Sequence, residues 1–295
     1  YGCQMNMSDS ERISAVLDGL KYKTTSNMTE SDLVIVTMCS VRQSAVDRVH
    51  GLAQKFKIIK KSNPKLKIIL TGCILKNDKK IFIKGFDYVI NIRDIKKLPQ
   101  ILKKSSVQKI HDREFSVPGS YLDITPKYSN KFSANVPIMT GCNNFCAYCV
   151  VPYSREREIS RPAEEIVREI KHLIKNGYKE VCLLGQNVNS YGKFIKERSC
   201  ALQGLSLKNK FKSPFAKLLA ILNNIKGLEK ISFITSNPQD LSDDIIEAMK
   251  LPKIDRYLHL PVQSGDDEIL RKMNRKYTAR QYLELINKIR KAIPE

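Results

Sequence analysis

The chain has 295 residues, of which 42% are hydrophobic and 27% are charged. This composition is typical of a folded chain with two domains, and it excludes a disordered, collagen-like or small disulfide-stapled protein. Lys and Arg number 51 against 30 Asp and Glu, and the resulting net charge of +21 favours a polyanionic partner such as nucleic acid. No apolar run approaches the roughly 20 residues needed to span a bilayer, so we expect a cytoplasmic protein with no membrane partner.

The first 110 residues alternate between apolar runs and segments with helical spacing. Strands are predicted at 33–36, 65–70 and 87–91, and helices at 8–20, 41–61 and 95–103. This alternation predicts an α/β domain with a Rossmann-like parallel sheet over residues 1–110. Residues 111–135 contain prolines and polar residues without an apolar stripe, which is typical of an interdomain linker.

A second alternating region extends from residue 136 to residue 295. Strands are predicted at 136–139, 181–184, 231–235 and 257–260. Helices are predicted at 162–176, 214–224, 242–249, 266–273 and 278–292. Four strands alternating with helices predict a partial (β/α) barrel that is open at the end of the chain.

Three of the eight cysteines lie in a short loop with the spacing C-x3-C-x2-C, in the sequence GCNNFCAYC at 141–149. Disulfides are not expected in a basic chain of this size that shows no secretory signal. Three thiolates can bind three irons of a four-iron cluster, which normally has four cysteine ligands, and the fourth iron is then open to another ligand. Structural zinc is the alternative, but it prefers paired C-x2-C units closed by a fourth ligand.

Three further cysteines occupy equivalent positions in the predicted domain at 1–110. Cys39 and Cys73 end the apolar runs LVIVTMC and IILTGC, and Cys3 precedes the first predicted helix. Because ligands gather at the carboxyl ends of parallel strands, we expect these cysteines to converge. A single cysteine is most often a small buried hydrophobic residue, but three placed in this way favour a second site. Cys182, in an apolar strand, and Cys200, in a Lys-rich insertion, are not expected to be ligands.

The loop at 141–149 resembles the cysteine motif of the radical S-adenosylmethionine (radical SAM) enzymes. The resemblance implies that Cys142, Cys146 and Cys149 bind a [4Fe-4S] cluster whose open iron binds the methionyl group of S-adenosylmethionine. It also implies that the reduced cluster cleaves this cofactor to a 5′-deoxyadenosyl radical. Tyr148, just before the last cysteine, is then expected beside the adenine.

Seven blocks along the chain resemble the methylthiotransferases. They are most similar to those that convert N6-dimethylallyladenosine in bacterial tRNA to its 2-methylthio derivative. The blocks are YGCQMN (1–6), TMCSVR (37–42), TGC (71–73), MTGCNNFCAYCVVPYSREREISRP (139–162), LLGQNVNSYG (183–192), TSNPQDLSDDII (235–246) and LHLPVQSGDDEILRKMNRKYT (258–278). The resemblance implies a second [4Fe-4S] cluster on Cys3, Cys39 and Cys73. It further implies a tRNA anticodon stem-loop as substrate, an electron donor as partner, and transfer of a methylthio group to carbon 2 of the adenine.

Four polar residues lie within three positions after the predicted strands and are candidate contacts of S-adenosylmethionine. They are Gln186, Asn187, Ser236 and Gln263. The alternative for each is a loop side chain that satisfies nearby backbone groups.

Other functions stay open beside this one. A methylthiotransferase could instead act on threonylcarbamoyl-adenosine in tRNA or on an aspartate of a ribosomal protein. A non-catalytic nucleic-acid-binding protein stabilised by zinc is the alternative from another class. By comparison with the family, the strand before Cys3, the last barrel strands and a C-terminal RNA-binding domain have no counterpart here, so we expect a fragment.

Overall fold

The computed structural model describes residues 1–103, 121–194 and 211–294. The chain forms two compact units, Tyr1–Ser129 and Asn130–Glu295. Within the described residues, no helix combines the length and the apolar character needed to cross a membrane.

The first unit is built on a parallel sheet, as predicted. Its strands are β1 (Leu33–Cys39), β2 (Lys67–Cys73) and β3 (Tyr88–Val89), hydrogen-bonded in that order. Its helices are α1 (Gln4–Gly19), α2 (Gln43–Ser62), α3 (Lys76–Phe82) and α4 (Leu98–Lys103), with short 3-10 helices at Ile92–Lys97 and Tyr121–Asp123. The apolar side chains of β1, β2 and α2 form the core, in which Met38, Val49, Ile68 and Leu70 are fully buried. The parallel sheet with a helix packed against it confirms the α/β fold class predicted for this region.

Three details of the first unit differ from the sequence prediction. Helix α1 begins at Gln4, four residues before the predicted start, because Cys3 takes the N-cap position with extended backbone. Helix α3 follows β2 and was not predicted. The described part of the expected linker is packed: Tyr121 donates a hydrogen bond to Asp9 over 3.0 Å, and Leu122 is buried. Residues 104–120 lie outside the described residues.

The second unit contains a three-stranded parallel sheet and a small antiparallel pair. Strands β4 (Ser133–Pro137), β7 (Glu180–Leu184) and β8 (Lys230–Phe233) form the parallel sheet, and β5 (Met139–Thr140) pairs with β6 (Ile159–Ser160). The helices are α5 (Val151–Ser154), α6 (Ala163–Lys175), α7 (Pro214–Asn223), α8 (Asp243–Met249), α9 (Asp267–Lys272) and α10 (Ala279–Ala292). This alternation of parallel strands and helices agrees with a partial (β/α) barrel.

The strand predicted at 257–260 does not form, and that detail of the prediction was wrong. In its place a single parallel bridge joins Ile254 to Ile231 of β8. One further hydrogen bond joins the amide of Ser236 to the carbonyl of His259 over 3.2 Å. Pro252 and Pro261 bracket the segment, and a proline has no amide hydrogen to donate to a ladder. Within the described residues, this bridge and this hydrogen bond do not make a continuous ladder with β8.

Candidate metal centres

The parallel register of β1 and β2 brings two of the predicted cysteine ligands side by side. The strands pair residue by residue from Leu33 with Lys67 to Cys39 with Cys73. Both cysteines are the last residues of their strands, and each is 4% exposed. The sequence prediction that their strands end at the same edge of the sheet is therefore confirmed.

Asn6 connects Cys3 to this strand edge. Its Oδ1 accepts hydrogen bonds from the amide nitrogen of Cys3, over 3.3 Å, and from its Sγ, over 3.6 Å. Its Nδ2 donates to the carbonyl of Met38, over 3.3 Å, and to Sγ of Cys73, over 3.8 Å. Asn6 is 2% exposed. One buried amide thus ties the N-cap of α1 to the ends of β1 and β2, and it contacts two of the three predicted ligands, Cys3 and Cys73.

Gly72 allows this close packing. Its φ of +113° lies outside the range that L side chains readily adopt, and a Cβ at this position would lie 2.3 Å from the carbonyl oxygen of Met38. The same Cβ would lie 3.2 Å from Nδ2 of Asn6. A side chain at residue 72 would therefore displace the backbone that precedes Cys39.

A cavity of about 300 Å³ opens beside Cys3 in the first unit. Its lining includes Asn6, Ser10, Thr37 and Lys127. Cys3 is half-buried, whereas Cys39 and Cys73 are buried. The cysteine group is therefore accessible from the side of Cys3.

In the second unit, the loop that carries the other three cysteines is anchored at its first end. The amide of Gly141 donates to Oε1 of Gln186 over 2.6 Å, and the amide of Cys142 donates to the carbonyl of Glu156 over 3.1 Å. Gly141 has a φ of +82°, and a Cβ there would lie 2.1 Å from the carbonyl oxygen of Arg157. At the other end, the amide of Cys149 donates to the carbonyl of Cys146 over 2.9 Å.

The three thiols of this loop influence one another. Burial raises the pKa of Cys142 to about 11, and the negative charges of Cys149, Cys146 and Glu158 add to the rise. Burial also raises the pKa of Cys149, with a further contribution from Cys146. Because metal-bound cysteines are thiolates, binding of a cluster here must release protons and supply positive charge to this buried position.

Buried polar atoms without hydrogen-bond partners gather near the ends of β7 and β8. The described residues that carry one include Glu158 (Oε1), Asn187 (Oδ1), Asn189 (Nδ2) and Ser236 (Oγ). The hydroxyl of Ser190 links two of them, since it is 2.6 Å from Oε2 of Glu158 and 2.9 Å from the carbonyl oxygen of Asn187. The amide of Asn237, next to Ser236, donates to Oδ1 of Asn189 over 3.1 Å. Buried polar groups are rarely left unsatisfied in folded proteins, and an exception is explained by strain, by a catalytic role or by a bound water or ion.

Glu158 is the charged member of this group and was not predicted. Burial raises its pKa to about 7, the hydrogen bond from Ser190 lowers it, and the charge of Asp240 raises it further. Asp240 itself is fully engaged: Asn187 donates to one of its oxygens and Lys193 to the other, each over 2.6 Å. The carboxyls of Glu158 and Asp240 outnumber the one lysine beside them, Lys193. This region next to the cysteine loop therefore suits a ligand that carries positive charge.

The remaining predicted residues are distributed as follows. Gln186 and Asn187 follow β7, and Ser236 follows β8, where strand ends were expected to place them. Gln263 has a φ of +73° in the loop beyond 257–260. Tyr148 is 49% exposed, and its hydroxyl accepts a hydrogen bond from Arg275 over 2.6 Å. Cys182 lies in β7, and Cys200 lies outside the described residues.

The spacing of the ligand sulfurs differs between a zinc site and a four-iron cluster. Among the described residues, no three His, Cys, Asp or Glu side chains converge closely enough for a single metal ion. Around tetrahedral zinc the ligand sulfurs lie about 3.8 Å apart, because each Zn–S bond is about 2.3 Å long. In a four-iron cluster each cysteine binds a different iron, so the sulfurs are spread around a larger group. Within the part of the chain that the structure describes, neither cysteine group therefore has the compact arrangement of a structural zinc site.

The sequence pattern of the radical SAM superfamily matches residues 136–295, which is more than half of the chain. The chain belongs to the radical SAM superfamily. The resemblance seen in the loop at 141–149 is thereby confirmed. Residues 1–93 match a second pattern, that of the uncharacterized protein family UPF0004.

Curated relatives within the superfamily are similar over the whole of this chain. A protein of Thermoanaerobacter sp. strain X514 is 43% identical over 303 residues, which cover 61% of its own length. Relatives from Clostridium botulinum strain Hall and Clostridium perfringens strain SM101 are 44% and 41% identical, with 64% and 65% of their length covered. All three are named tRNA-2-methylthio-N(6)-dimethylallyladenosine synthase. The chain therefore spans a little under two thirds of these relatives.

Solved structures confirm the fold class at low sequence identity. The radical S-adenosylmethionine methyltransferase TsrM from Kitasatospora setae, solved with tryptophan and a cofactor analogue, matches 95% of this chain and 57% of its own, with a TM-score of 0.56 and 12% identity. The cobalamin-dependent S-adenosylmethionine radical enzyme OxsB matches 97% of this chain and 42% of its own, with a TM-score of 0.57 and 13% identity.

Proposed function

We propose that the protein is a tRNA methylthiotransferase that adds a methylthio group to carbon 2 of N6-dimethylallyladenosine next to the anticodon. The observation that carries this proposal is the identity of 41% to 44%, over the full chain, with relatives named for that product. The net charge of +21 suits an RNA substrate. We further propose that it works in the cytoplasm, where tRNA is modified, and that an electron donor serves it there.

The proposed cofactors are S-adenosylmethionine and two [4Fe-4S] clusters. Cys142, Cys146 and Cys149 would hold one cluster in a core domain at 136–295, with residues 111–135 as the linker. The ligands of the other cluster, in the domain at 1–110, would be Cys3, Cys39 and Cys73. When bound, the clusters supply the reducing electron and a site for the transferred sulfur. The protein would hold the ligands in place. Asn6 fixes Cys3 and Cys73 in the first domain, and Gln186 fixes Gly141 at the start of the loop that carries the other three cysteines.

Residues next to the cysteine loop would bind S-adenosylmethionine. Asn187 and Ser236 each keep one buried polar atom available, and Glu158 adds a carboxylate oxygen. The cofactor carries an ammonium, a sulfonium and two ribose hydroxyls, all of which suit these acceptors. We place Tyr148, Gln186 and Gln263 among its neighbours as well.

The proposed reaction replaces the hydrogen on carbon 2 with sulfur and a methyl group. One molecule of S-adenosylmethionine donates the methyl group, and a second provides the radical that removes the hydrogen atom. Such a C–H bond is beyond the reach of side-chain acids and bases, so the cofactors carry the chemistry and the protein positions them.

Mass spectrometry of tRNA nucleosides from a strain that lacks the gene tests this function. We expect the methylthio derivative of N6-dimethylallyladenosine to disappear and its precursor to accumulate. Restoring the gene should restore the product, as should a Cys182→Ser copy, whereas a Cys146→Ser copy should not. An unchanged level of the methylthio nucleoside would contradict the proposal, and loss of methylthiolated threonylcarbamoyl-adenosine instead would assign the alternative tRNA substrate.

A further inference from the structure

The middle of the cysteine loop is held by a segment about 130 residues further along the chain. The connection from α9 to α10 begins with Met273, Asn274 and Arg275, and we call these three residues the clasp. The carbonyl of Met273 accepts a hydrogen bond from the amide of Ala147 over 3.0 Å. The clasp thus contacts the part of the loop that lies between the first and last cysteines.

Asn274 makes two contacts with the loop backbone. Its Nδ2 donates to the carbonyl of Phe145 over 2.9 Å and to that of Asn144 over 3.2 Å. Asn274 has a φ of +56°, in the left-handed region that asparagine tolerates better than most residues. Both the backbone conformation and the two donated hydrogens therefore suit asparagine at this position.

The loop residue that Asn274 contacts is itself strained. Phe145 has a φ of +49°, in the left-handed region that L residues other than asparagine and aspartate rarely adopt. Such a conformation persists only where the surroundings hold it. Arg157 stacks on the Phe145 ring, with its guanidinium carbon 4.2 Å from the ring centre, and Asn274 binds the Phe145 carbonyl. The loop belongs to no helix or strand that would fix it otherwise.

Arg275 fixes the side chain that precedes the last cysteine. Its Nη2 donates to the hydroxyl of Tyr148 over 2.6 Å, and its guanidinium carbon lies 5.8 Å from the centre of the Tyr148 ring. Tyr148 is 49% exposed, so few other contacts restrict it. Arg275 therefore sets the direction in which this ring points.

We infer that the clasp holds residues 144–148 in the cluster-binding conformation before iron binds, and that Arg275 is a positioning residue that orients Tyr148 toward S-adenosylmethionine. The inference rests on the proposed cluster at Cys142, Cys146 and Cys149. Fixing the residues of an unordered loop costs conformational entropy, so a loop that is already ordered binds its cluster with a smaller penalty.

Asn274→Asp tests the first half of this inference. Aspartate keeps the size of the side chain and tolerates positive φ, but it has no hydrogen to donate to the carbonyls of Asn144 and Phe145. Asn176→Asp is the matched control, because Asn176 donates to the carbonyl of His172 over 2.8 Å, at the end of α6. Hydrogen exchange of the cluster-free protein should show about tenfold faster exchange in peptides covering 142–149 for Asn274→Asp, and wild-type exchange there for Asn176→Asp.

Anaerobic cluster assembly provides the second measurement. We expect the Asn274→Asp protein to assemble the cluster at Cys142, Cys146 and Cys149 at least threefold more slowly than the control. Wild-type exchange in the loop, or wild-type assembly despite faster exchange, would overturn the inference. Failure of the wild-type protein itself to bind iron would refute the proposed function instead, and hydrogen exchange would still report whether the clasp orders the loop.

Arg275→Lys tests the second half of the inference. Lysine keeps the charge but lacks the planar guanidinium that reaches the Tyr148 hydroxyl. With iron content unchanged, equilibrium dialysis should show binding of S-adenosylmethionine to be about fivefold weaker. Arg280→Lys is the control, since Arg280 pairs with Glu284 on the exposed surface of α10. Equal binding by the two variants would overturn the role of Arg275.

Discussion

The amide of Asn6 donates a hydrogen bond to the sulfur of Cys73, with 3.8 Å between Nδ2 and Sγ. The two residues are 67 positions apart in the chain. The other end of the same amide accepts from Cys3, so one side chain determines how a helix N-terminus meets a strand end. The cysteine group in the first unit therefore depends on a residue that is not expected to bind metal.

Asn6→Ala should weaken both the fold and the metal site of the first unit. It removes bonds to Cys3, Met38 and Cys73 and leaves buried groups unsatisfied, so we expect a loss of about 2–3 kcal/mol in the free energy of unfolding. Urea unfolding of the cluster-free protein measures this loss. Iron should fall from about eight to about four atoms per chain, as expected when one of two four-iron clusters is lost.

The control for Asn6→Ala is Asn63→Ala. Asn63 is half-buried in the same unit and donates to the carbonyl of Ser31 over 3.0 Å, away from the cysteines. We expect a smaller loss of stability and full iron content. Full iron content in Asn6→Ala itself would contradict the role given to that residue.

Gly72→Ala should destabilise the first unit by about 2–4 kcal/mol. The new Cβ would lie 2.3 Å from the carbonyl oxygen of Met38, and the φ of +113° adds strain. Gly51→Ala in α2 is a matched change with open space around the new Cβ. It should stabilise the protein by about 0.5–1 kcal/mol, because alanine is the better helix former. Equal unfolding free energies for the two variants would show that the close approach at Gly72 has no energetic effect.

Serine variants of the two cysteine groups should each remove half of the iron. One triple variant changes Cys3, Cys39 and Cys73, and the other changes Cys142, Cys146 and Cys149. After anaerobic reconstitution we expect about four irons per chain in each, against about eight in the wild type. Cys182→Ser should keep all of the iron. Zinc in place of iron in the wild type would instead support the non-catalytic alternative.

The stability of the cluster-free protein should fall as pH rises from about 4.5 to about 7, through Glu158. Burial raises the pKa of this carboxyl to about 7, so the folded state binds its proton more tightly than the unfolded state does. The contribution is present below the unfolded pKa and is lost as pH passes the folded pKa. Well above pH 7 the loss is on the order of 3 kcal/mol.

Glu158→Gln removes this titration. Relative to the wild type, the variant should gain stability with rising pH and level off above about pH 7, as measured by urea unfolding at several pH values. Glu164→Gln, at an exposed position in the first turn of α6, is the control. A constant difference between Glu158→Gln and the wild type across the range would contradict the prediction.

The placement of the cysteines was largely predictable from the sequence because it follows from strand topology. Cys39 and Cys73 each end an apolar run, and parallel strands end at one edge of their sheet. The C-x3-C-x2-C spacing likewise identified the loop at 141–149. In both cases the signal is local in the sequence and requires no knowledge of side-chain packing.

The residues that hold these cysteines in place could not be predicted in the same way. Asn6 and Asn274 act on partners 67 and about 130 positions away, and neither has a local pattern that announces this. Glu158 lies in a run of alternating charges, SREREISRP, which gives no sign that one carboxyl is buried. Only their position within the motif blocks could have drawn attention to them.

The wrong prediction of a strand at 257–260 has a different cause. Its pattern, YLHL, alternates as a strand should, but strand formation depends on a continuous partner as well as on propensity. In the described chain, the contacts with β8 and the residues after it are the bridge from Ile254 to Ile231 and the hydrogen bond from Ser236 to His259. These do not make a continuous partner. The short helix α3 was missed because KNDKKIF has too few apolar residues to show a period.

The register of β1 with β2 also decides which changes in chain length the first unit can tolerate. A residue inserted in the connection between Ser62 and Lys67 would not change the register of β1 with β2, so Cys39 and Cys73 would still be paired. A residue inserted within β2 would turn Cys73 to the opposite face of the sheet, because side chains alternate along a strand. The number of residues in the connection between these cysteines can therefore vary, whereas the lengths of the two strands must be kept if both cysteines are to bind the proposed cluster.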